Sequence, residues 1–402
     1  MKVKAPASKS YFQRALAISA LAKNTSILQN ITWCDDTVIA KNITSQLGAE
    51  LVENDGVLWV YPRKNKILNK DFFAGEAGLS IRMFSPILAL NADNFSFTAN
   101  GSLLNRPVEN IIETLAKLGV DIKLNKGKLP LQINKKLQAG KIEIDGSLSS
   151  QLLTGLLIAL PLVDGNSIIS VKNLKSTPYI DMTIKIIQHF GVDIINNNYE
   201  EFIIKGNQKY IGTQYNIEGD WSGAAFLLVA GAISNKIEVE NLDVDSLQAD
   251  KKILDALEIA GAKITKNENS VLVEKNQLNA FAFDATHCPD LFPPLVSLAS
   301  VCEGVTKIKG ISRLIYKESN RAKTLQKEFA KMGIKISLQN DFMLIEGGKI
   351  KSAKIDSHND HRIAMAGYLF NILPDIKIEI INREAVNKSY PEFYDVFQYI
   401  DI

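Results

Sequence analysis

Six times along this chain an apolar, helix-like run opens on a polar residue: Ser10, Ser80, Ser150, Ser222, Asp290 and Asp360, at intervals of 70, 70, 72, 68 and 70 residues. Runs such as LLTGLLIALPL after Gln151 and AAFLLVAGAI after Gly223 are too apolar to turn any side to water, so they read as buried helices. A second beat keeps step with the first, because an amphipathic stretch ends in apolar-Gly-apolar at Gly48, Gly119, Gly191, Gly261 and Gly333. Each of these glycines fits a left-handed helix cap, and the alternation after it reads as a strand. The repeat is therefore buried helix, strand, loop, amphipathic helix, glycine, strand hairpin. Solenoid repeats run at about 20–50 residues, so a period near seventy marks a small fold in its own right. Six such units account for all 402 residues.

The sixth unit is short of a hairpin: the segment from Tyr390 to Ile402 fits the amphipathic helix, and the sequence ends there. Residues Met1 to Pro6 alternate like a strand, and they are expected to supply the missing strand so that both ends meet in one domain. Length and repeat arithmetic give two domains of three units, 8–216 and 217–402 plus 1–7, divided near Asn216. A net charge of +2 points to neither nucleic acid nor membrane as a partner, so any basic site must be local. Cys34, Cys288 and Cys302 are odd in number and lack metal-ligand spacing, which suits a reducing cytoplasm. The chain shows no signal peptide, P-loop, GxGxxG or Ser-x-x-Lys.

What the six openings carry is less regular than their spacing. A helix start presents unpaired N–H groups and about half a positive charge, so it holds anions. The first opening adds Ser8, Lys9 and Ser10, with Arg14 one turn further along the same face. The second places Gly78 before Arg82, an arginine in an apolar helix that needs an anion, a carboxylate or a structural partner. The third offers Ser149, Ser150 and Gln151, and the sixth Asn359, Asp360, His361 and Arg362. His358 and His361 are three apart, but no carboxylate or cysteine set completes a metal site, so no metal is expected. The loops before the amphipathic helices contribute Arg106, Ser176, Tyr179, Lys317, Glu318, Arg321 and Lys388. Any one of these alone would read as a solvated loop residue; their equivalent positions in successive repeats make a polyanion site the better reading. Asp290 and Glu318 stand among these cations as candidates for acid/base work, with an ordinary helix cap as the competing role for Asp290.

The segments PASKSYFQRA, EAGLSIR, NRPVENIIETLAKLG, DGSLSSQLLTGLL, STPYIDMT, EGDWSGAAFLL, PDLFPPLVSLA, YKESNRAKTL, NDHRIAMA and KSYPEFYDVF, in this order, resemble the 5-enolpyruvylshikimate-3-phosphate synthases across nearly the whole chain. The resemblance implies an α/β (α+β) fold of two inverse α/β barrel domains, built from six βαβαββ-like units, with the active site in the interdomain cleft. It also implies transfer of the enolpyruvyl group of phosphoenolpyruvate to the 5-hydroxyl of shikimate 3-phosphate, with no cofactor and small molecules as the only partners. Carried over motif by motif, Ser10, Arg14, Ser149, Ser150, Gln151, Ser176, Tyr179 and Lys317 would hold shikimate 3-phosphate. Lys9, Gly78, Arg106, Gln151, Arg321, Arg362 and Lys388 would hold phosphoenolpyruvate, and Asp290, Glu318 and Lys9 would move protons. A monomer that closes on shikimate 3-phosphate is expected.

The chain departs from the family's frequent pattern at Glu76, Leu79 and Met83, at Arg313 and Asn320, and in a shorter N-terminus. Retention of Gly78 implies moderate sensitivity to glyphosate, which occupies the phosphoenolpyruvate site of this family. Two rival readings compete. A UDP-N-acetylglucosamine enolpyruvyl transferase usually has a cysteine shortly before the Arg106 equivalent, where this chain has Gly101 in ANGSLLNRP. A six-repeat DNA sliding clamp would need basic helix faces, which these apolar helices lack.

Overall fold

The computed structural model describes residues 1–62, 67, 69–91 and 94–398. The chain divides into two compact units, one comprising Lys9–Ile217 and the other Met1–Ser8 with Glu218–Ile402.

Within Lys9–Ile217 a single motif occurs three times. The buried helices are Lys9–Leu21, Gly78–Ala89 and Gln151–Ala159, and the amphipathic helices are Asp35–Gln46, Glu109–Lys117 and Thr177–His189. Every residue of Gly78–Ala89 is buried, as the unbroken apolar run demands. Burial of each large apolar side chain contributes about 1.5–3 kcal/mol relative to exposure. Each copy has a four-stranded sheet in which a parallel pair flanks an antiparallel hairpin. In the second copy, for example, Asp71–Phe73 lies parallel to Phe95–Thr98, which pairs with Lys128–Asn134 and through it with Asp121–Asn125.

The other unit repeats the motif around the buried helices Trp221–Ile233, Phe292–Ala299 and His361–Tyr368. Its first two sheets have four strands, whereas among the described residues the third has only Ala353–Asp356 parallel to Ile378–Ile381. The amphipathic helix of that last copy is Phe393–Gln398; the final four residues of the expected helix, 399–402, lie outside the described residues.

The glycine beat is confirmed in detail. Gly48, Gly119, Gly191, Gly261 and Gly333 have φ of 100°, 80°, 81°, 101° and 88°, a region costly for any residue with a Cβ, and a strand follows each.

The N-terminal strand requires a correction. Lys2–Lys4 pairs parallel with Lys236–Glu240, so it completes the sheet of the fourth repeat and leaves the sixth repeat two-stranded. Gln214–Asn216, which precedes the fourth buried helix, instead pairs with Ser26–Gln29 of the first repeat. The two strands are exchanged: each leads into one unit's helix while completing the other unit's sheet. The fourth sheet thus had a vacant parallel edge for the N-terminus to fill, whereas in the sixth repeat the two strands flanking the buried helix already pair with each other.

Candidate functional site

Functional side chains gather in two clusters, one in each unit. In Lys9–Ile217, helix Gly78–Ala89 packs tightly against Gln151–Ala159. Gly155 makes this approach possible, since a Cβ there would lie 2.5 Å from the Met83 carbonyl oxygen and 2.6 Å from the Pro86 ring. The two helix starts are thereby brought together. Arg82, one turn into its helix, donates from Nη1 to the Gly78 carbonyl and to Gln151 Oε1, both at 3.3 Å, and from Nη2 to the Pro107 carbonyl at 2.9 Å. It therefore has a positioning role besides its charge. Arg106 donates from Nη2 to Ser102 Oγ at 3.2 Å.

Gly78 is the floor of this cluster. A Cβ on it would stand 2.9 Å from Nη1 of Arg106, 2.9 Å from Nη1 of Arg82 and 3.4 Å from Gln151 Oε1. Two guanidiniums, an amide and a helix start thus face a spot where any side chain would intrude, an arrangement suited to an anion.

In the same unit Arg14 is almost wholly buried and donates to Thr183 Oγ1 at 2.9 Å, to the Ser10 carbonyl at 2.8 Å and to Thr154 Oγ1 at 3.4 Å. Burial lowers its pKa to about 10, so it remains cationic at neutral pH. Thr183 in turn donates to the Tyr179 carbonyl at 2.7 Å. Ser149 Oγ accepts from the Gln151 N–H at 3.1 Å, and Ser150 stands at the cap of that helix. Ser176 occupies the cap of Thr177–His189 with a left-handed φ of 58°. Lys9 forms an ion pair with Asp36 at 2.6 Å.

The second cluster is built around Arg321, at the start of helix Arg321–Lys331 and 1% exposed. Its Nε donates to Asp360 Oδ2 at 2.8 Å, its Nη1 to Asp290 Oδ1 at 2.7 Å and its Nη2 to Glu318 Oε2 at 2.5 Å. Asp290 also accepts from Lys317 Nζ at 3.0 Å, and its carbonyl accepts from Arg362 Nη1 at 3.1 Å. Burial would raise the Asp290 pKa, but Arg362, Lys317 and Arg321 outweigh it and hold this carboxyl well below the usual range. Burial pushes Lys317 down. Asp290 lies in the turn Pro289–Leu291 ahead of the helix, whose cap is Leu291, so it is not the helix cap.

Asp360 caps helix His361–Tyr368 through the Arg362 N–H while also anchoring Arg321. The loop before it carries two left-handed residues, His358 and Asn359, with φ of 51° and 57°. The wholly buried Glu328 holds this loop, accepting from His358 Nε2 at 3.0 Å and from the Asp356 N–H at 2.8 Å. The loop in turn offers the Asn359 carbonyl to Lys388 Nζ at 2.7 Å. His358 is therefore engaged with Glu328, and no group of three metal-ligating side chains occurs among the described residues.

Several of these partners were not picked out by sequence reasoning: Asp36, Thr154, Thr183, Glu328 and the buried Asp250. Asp250 accepts from Ser222 Oγ, and Asp220 caps the same helix through the Ser222 N–H at 3.0 Å. Burial raises the Asp250 pKa to about 6 despite the opposing charge of Arg362, with Asp290 and Asp220 adding to the rise. Thr154 was detectable as a hydroxyl inside an otherwise apolar helix; Asp36 and Asp250 carry no comparable local signal. The three cysteines are buried and free, and burial pushes the Cys34 thiol up to about 11.

Fold and site together define an α/β protein of two units, each with three copies of one motif, and with one cluster built on glycine and guanidinium and the other on arginine bonded to carboxylates. The family model for EPSP synthase (3-phosphoshikimate 1-carboxyvinyltransferase) matches residues 1–397. The 3-phosphoshikimate 1-carboxyvinyltransferase of Clostridium botulinum strain Alaska E43 is 37% identical, with 99% of this chain and 94% of that protein covered. Its namesake in Clostridium acetobutylicum is 38% identical over 98% of this chain and 93% of that protein. The structure of EPSP synthase from Acinetobacter baumannii matches with a TM-score of 0.83 over 99% of this chain and 95% of that one, at 23% identity, a likeness of fold. This chain belongs to the EPSP synthase family. Among the described residues no helix is long and apolar enough to cross a membrane.

Proposed function

We infer that this chain transfers the enolpyruvyl group of phosphoenolpyruvate to the 5-hydroxyl of shikimate 3-phosphate, releasing inorganic phosphate. The observation that carries the reading is the cradle at Gly78, where Arg82, Arg106 and Gln151 crowd the position a Cβ would take. Each substrate bears a carboxylate and a phosphate, and each phosphate brings about −1.5 to −2 charges at neutral pH. Phosphoenolpyruvate is held by Lys9, Gly78, Arg106, Gln151, Arg321, Arg362 and Lys388. Shikimate 3-phosphate is held by Ser10, Arg14, Ser149, Ser150, Gln151, Ser176, Tyr179 and Lys317.

In the forward step, the 5-hydroxyl oxygen bonds to the enol carbon of phosphoenolpyruvate while Asp290 takes the hydroxyl proton. Glu318, with Lys9, delivers a proton to the methylene carbon, and a tetrahedral ketal results. Glu318, with Lys9, then takes back a methyl proton, which restores the double bond as the C–O bond to phosphate breaks, and Asp290 returns its proton to the departing phosphate. The cationic neighbours of Asp290 keep its carboxylate ionised and free to accept a proton, while making it a weaker base than a carboxylate standing alone. The position of Glu318 beside the same arginine supports a paired role.

A phosphate-release assay with both substrates tests the reading, and absence of turnover refutes it. Glyphosate should compete with phosphoenolpyruvate at moderate concentration, since Gly78 leaves the cradle open; an inhibition constant in the millimolar range contradicts this.

A further inference from the structure

Glu76 was noted in the sequence only as a departure from the family pattern. It lies two residues before Gly78, and its carboxylate tucks against the start of the turn Gly101–Asn105, where Oε2 accepts from the Ser102 N–H at 3.1 Å. Gly101 makes room for it: this residue has φ of 52°, and a Cβ there would overlap the Glu76 carboxylate. From Ser102 the connection continues, because its Oγ accepts from Arg106 Nη2 at 3.2 Å, and Arg106 Nη1 stands 2.9 Å from the Cβ position on Gly78. The loop holding the glycine floor is thus tied by one side chain to the turn that aims the arginine over it. Two backbone bonds, Ala74 N–H to the Thr98 carbonyl at 2.8 Å and Asn100 N–H to the Gly75 carbonyl at 3.0 Å, join the same loops below Glu76. They fix the loops' roots, and Glu76 fixes the turn itself.

We propose that Glu76 is a positioning residue for phosphoenolpyruvate, holding the Gly101–Asn105 turn so that Arg106 faces the Gly78 floor; the proposal rests on the function inferred above. A carboxylate beside an anion cradle is unfavourable for a direct contact with an anionic ligand, whereas as an acceptor for the Ser102 N–H at the start of the turn it is well placed. Its effect is confined to one ligand, because Arg14, Ser149 and Ser176 do not depend on this turn.

The test is steady-state phosphate release by the full-length wild type, Glu76→Ala and Glu76→Gln, with each substrate varied in turn, together with calorimetric titration of phosphoenolpyruvate in the presence of shikimate 3-phosphate. Glu76→Ala should raise KM for phosphoenolpyruvate about tenfold, the order expected for a misplaced binding group. KM for shikimate 3-phosphate should stay within about twofold, a split that general loss of structure would not produce. Glu76→Gln keeps an acceptor for the Ser102 N–H and should recover most of the loss. If the wild type turns over but Glu76→Ala leaves KM for phosphoenolpyruvate unchanged, or raises both KM values equally, the positioning role is overturned and the activity stands. A wild type that neither turns over nor binds phosphoenolpyruvate overturns both.

Discussion

The two clusters hold their central arginines in opposite ways. Arg14 in Lys9–Ile217 donates to hydroxyls and a carbonyl, and Arg82 donates to carbonyls and an amide. Arg321 in the other unit is fixed by three carboxylates. A guanidinium held by neutral acceptors keeps its charge for an incoming anion. One held by carboxylates is already compensated, and its value lies in fixing the position of those carboxylates. Under the proposed function, binding would fall chiefly to the first cluster and proton movement chiefly to the second.

If that division holds, substitutions in the two clusters should fail differently. The largest effect is expected from Asp290→Asn, which removes the proton acceptor and should lower kcat about 10²–10⁴-fold with little change in either KM. Glu318→Gln should act in the same sense, and near-normal turnover by either variant would dissolve the assignment. Gly78→Ala should fail through binding instead. Its Cβ would meet flexible guanidinium ends rather than backbone, so the fold should lose less than about 1 kcal/mol, whereas KM for phosphoenolpyruvate should rise about 10–100-fold. Denaturant melts alongside kinetics separate the two outcomes.

The smallest effect concerns stability. Asp250 has its pKa raised by burial from 3.8 to about 6, so between roughly pH 4 and 6 the folded chain holds a proton that the unfolded chain has released. Stability therefore falls as pH rises through that window, and the full penalty persists above it. Asp250→Asn should accordingly be more stable than wild type by about 1–3 kcal/mol at pH 8, with the advantage vanishing near pH 4. A variant equally destabilised at both pH values would show that Asp250 is held ionised by Arg362.

The periodic parts of the molecule were legible because local chemistry dictates them. Apolar runs without a polar face had to be buried, and glycines after amphipathic stretches had to cap helices. The destination of the first strand was not legible, because alternation in MKVKAP shows a strand but not its partner, and Val3 pairs with Val239 more than two hundred residues away. The same distinction runs through the site. Lys and Arg at helix openings were visible as types in repeated positions, whereas the acceptors that orient Lys9 and Arg14, Asp36 and Thr183, lie in other elements and are joined to them only by folding, as Glu328 is to the His358 loop. Asp290 was read with two roles open, and only its place in a turn ahead of the helix, bonded to Lys317 and Arg321, separates it from a cap.

The most direct measurement is phosphate release from phosphoenolpyruvate with shikimate 3-phosphate as acceptor, run beside an identical reaction with UDP-N-acetylglucosamine. Saturable release with shikimate 3-phosphate alone is the expected result. Release with the nucleotide sugar, or with neither acceptor, would contradict the account.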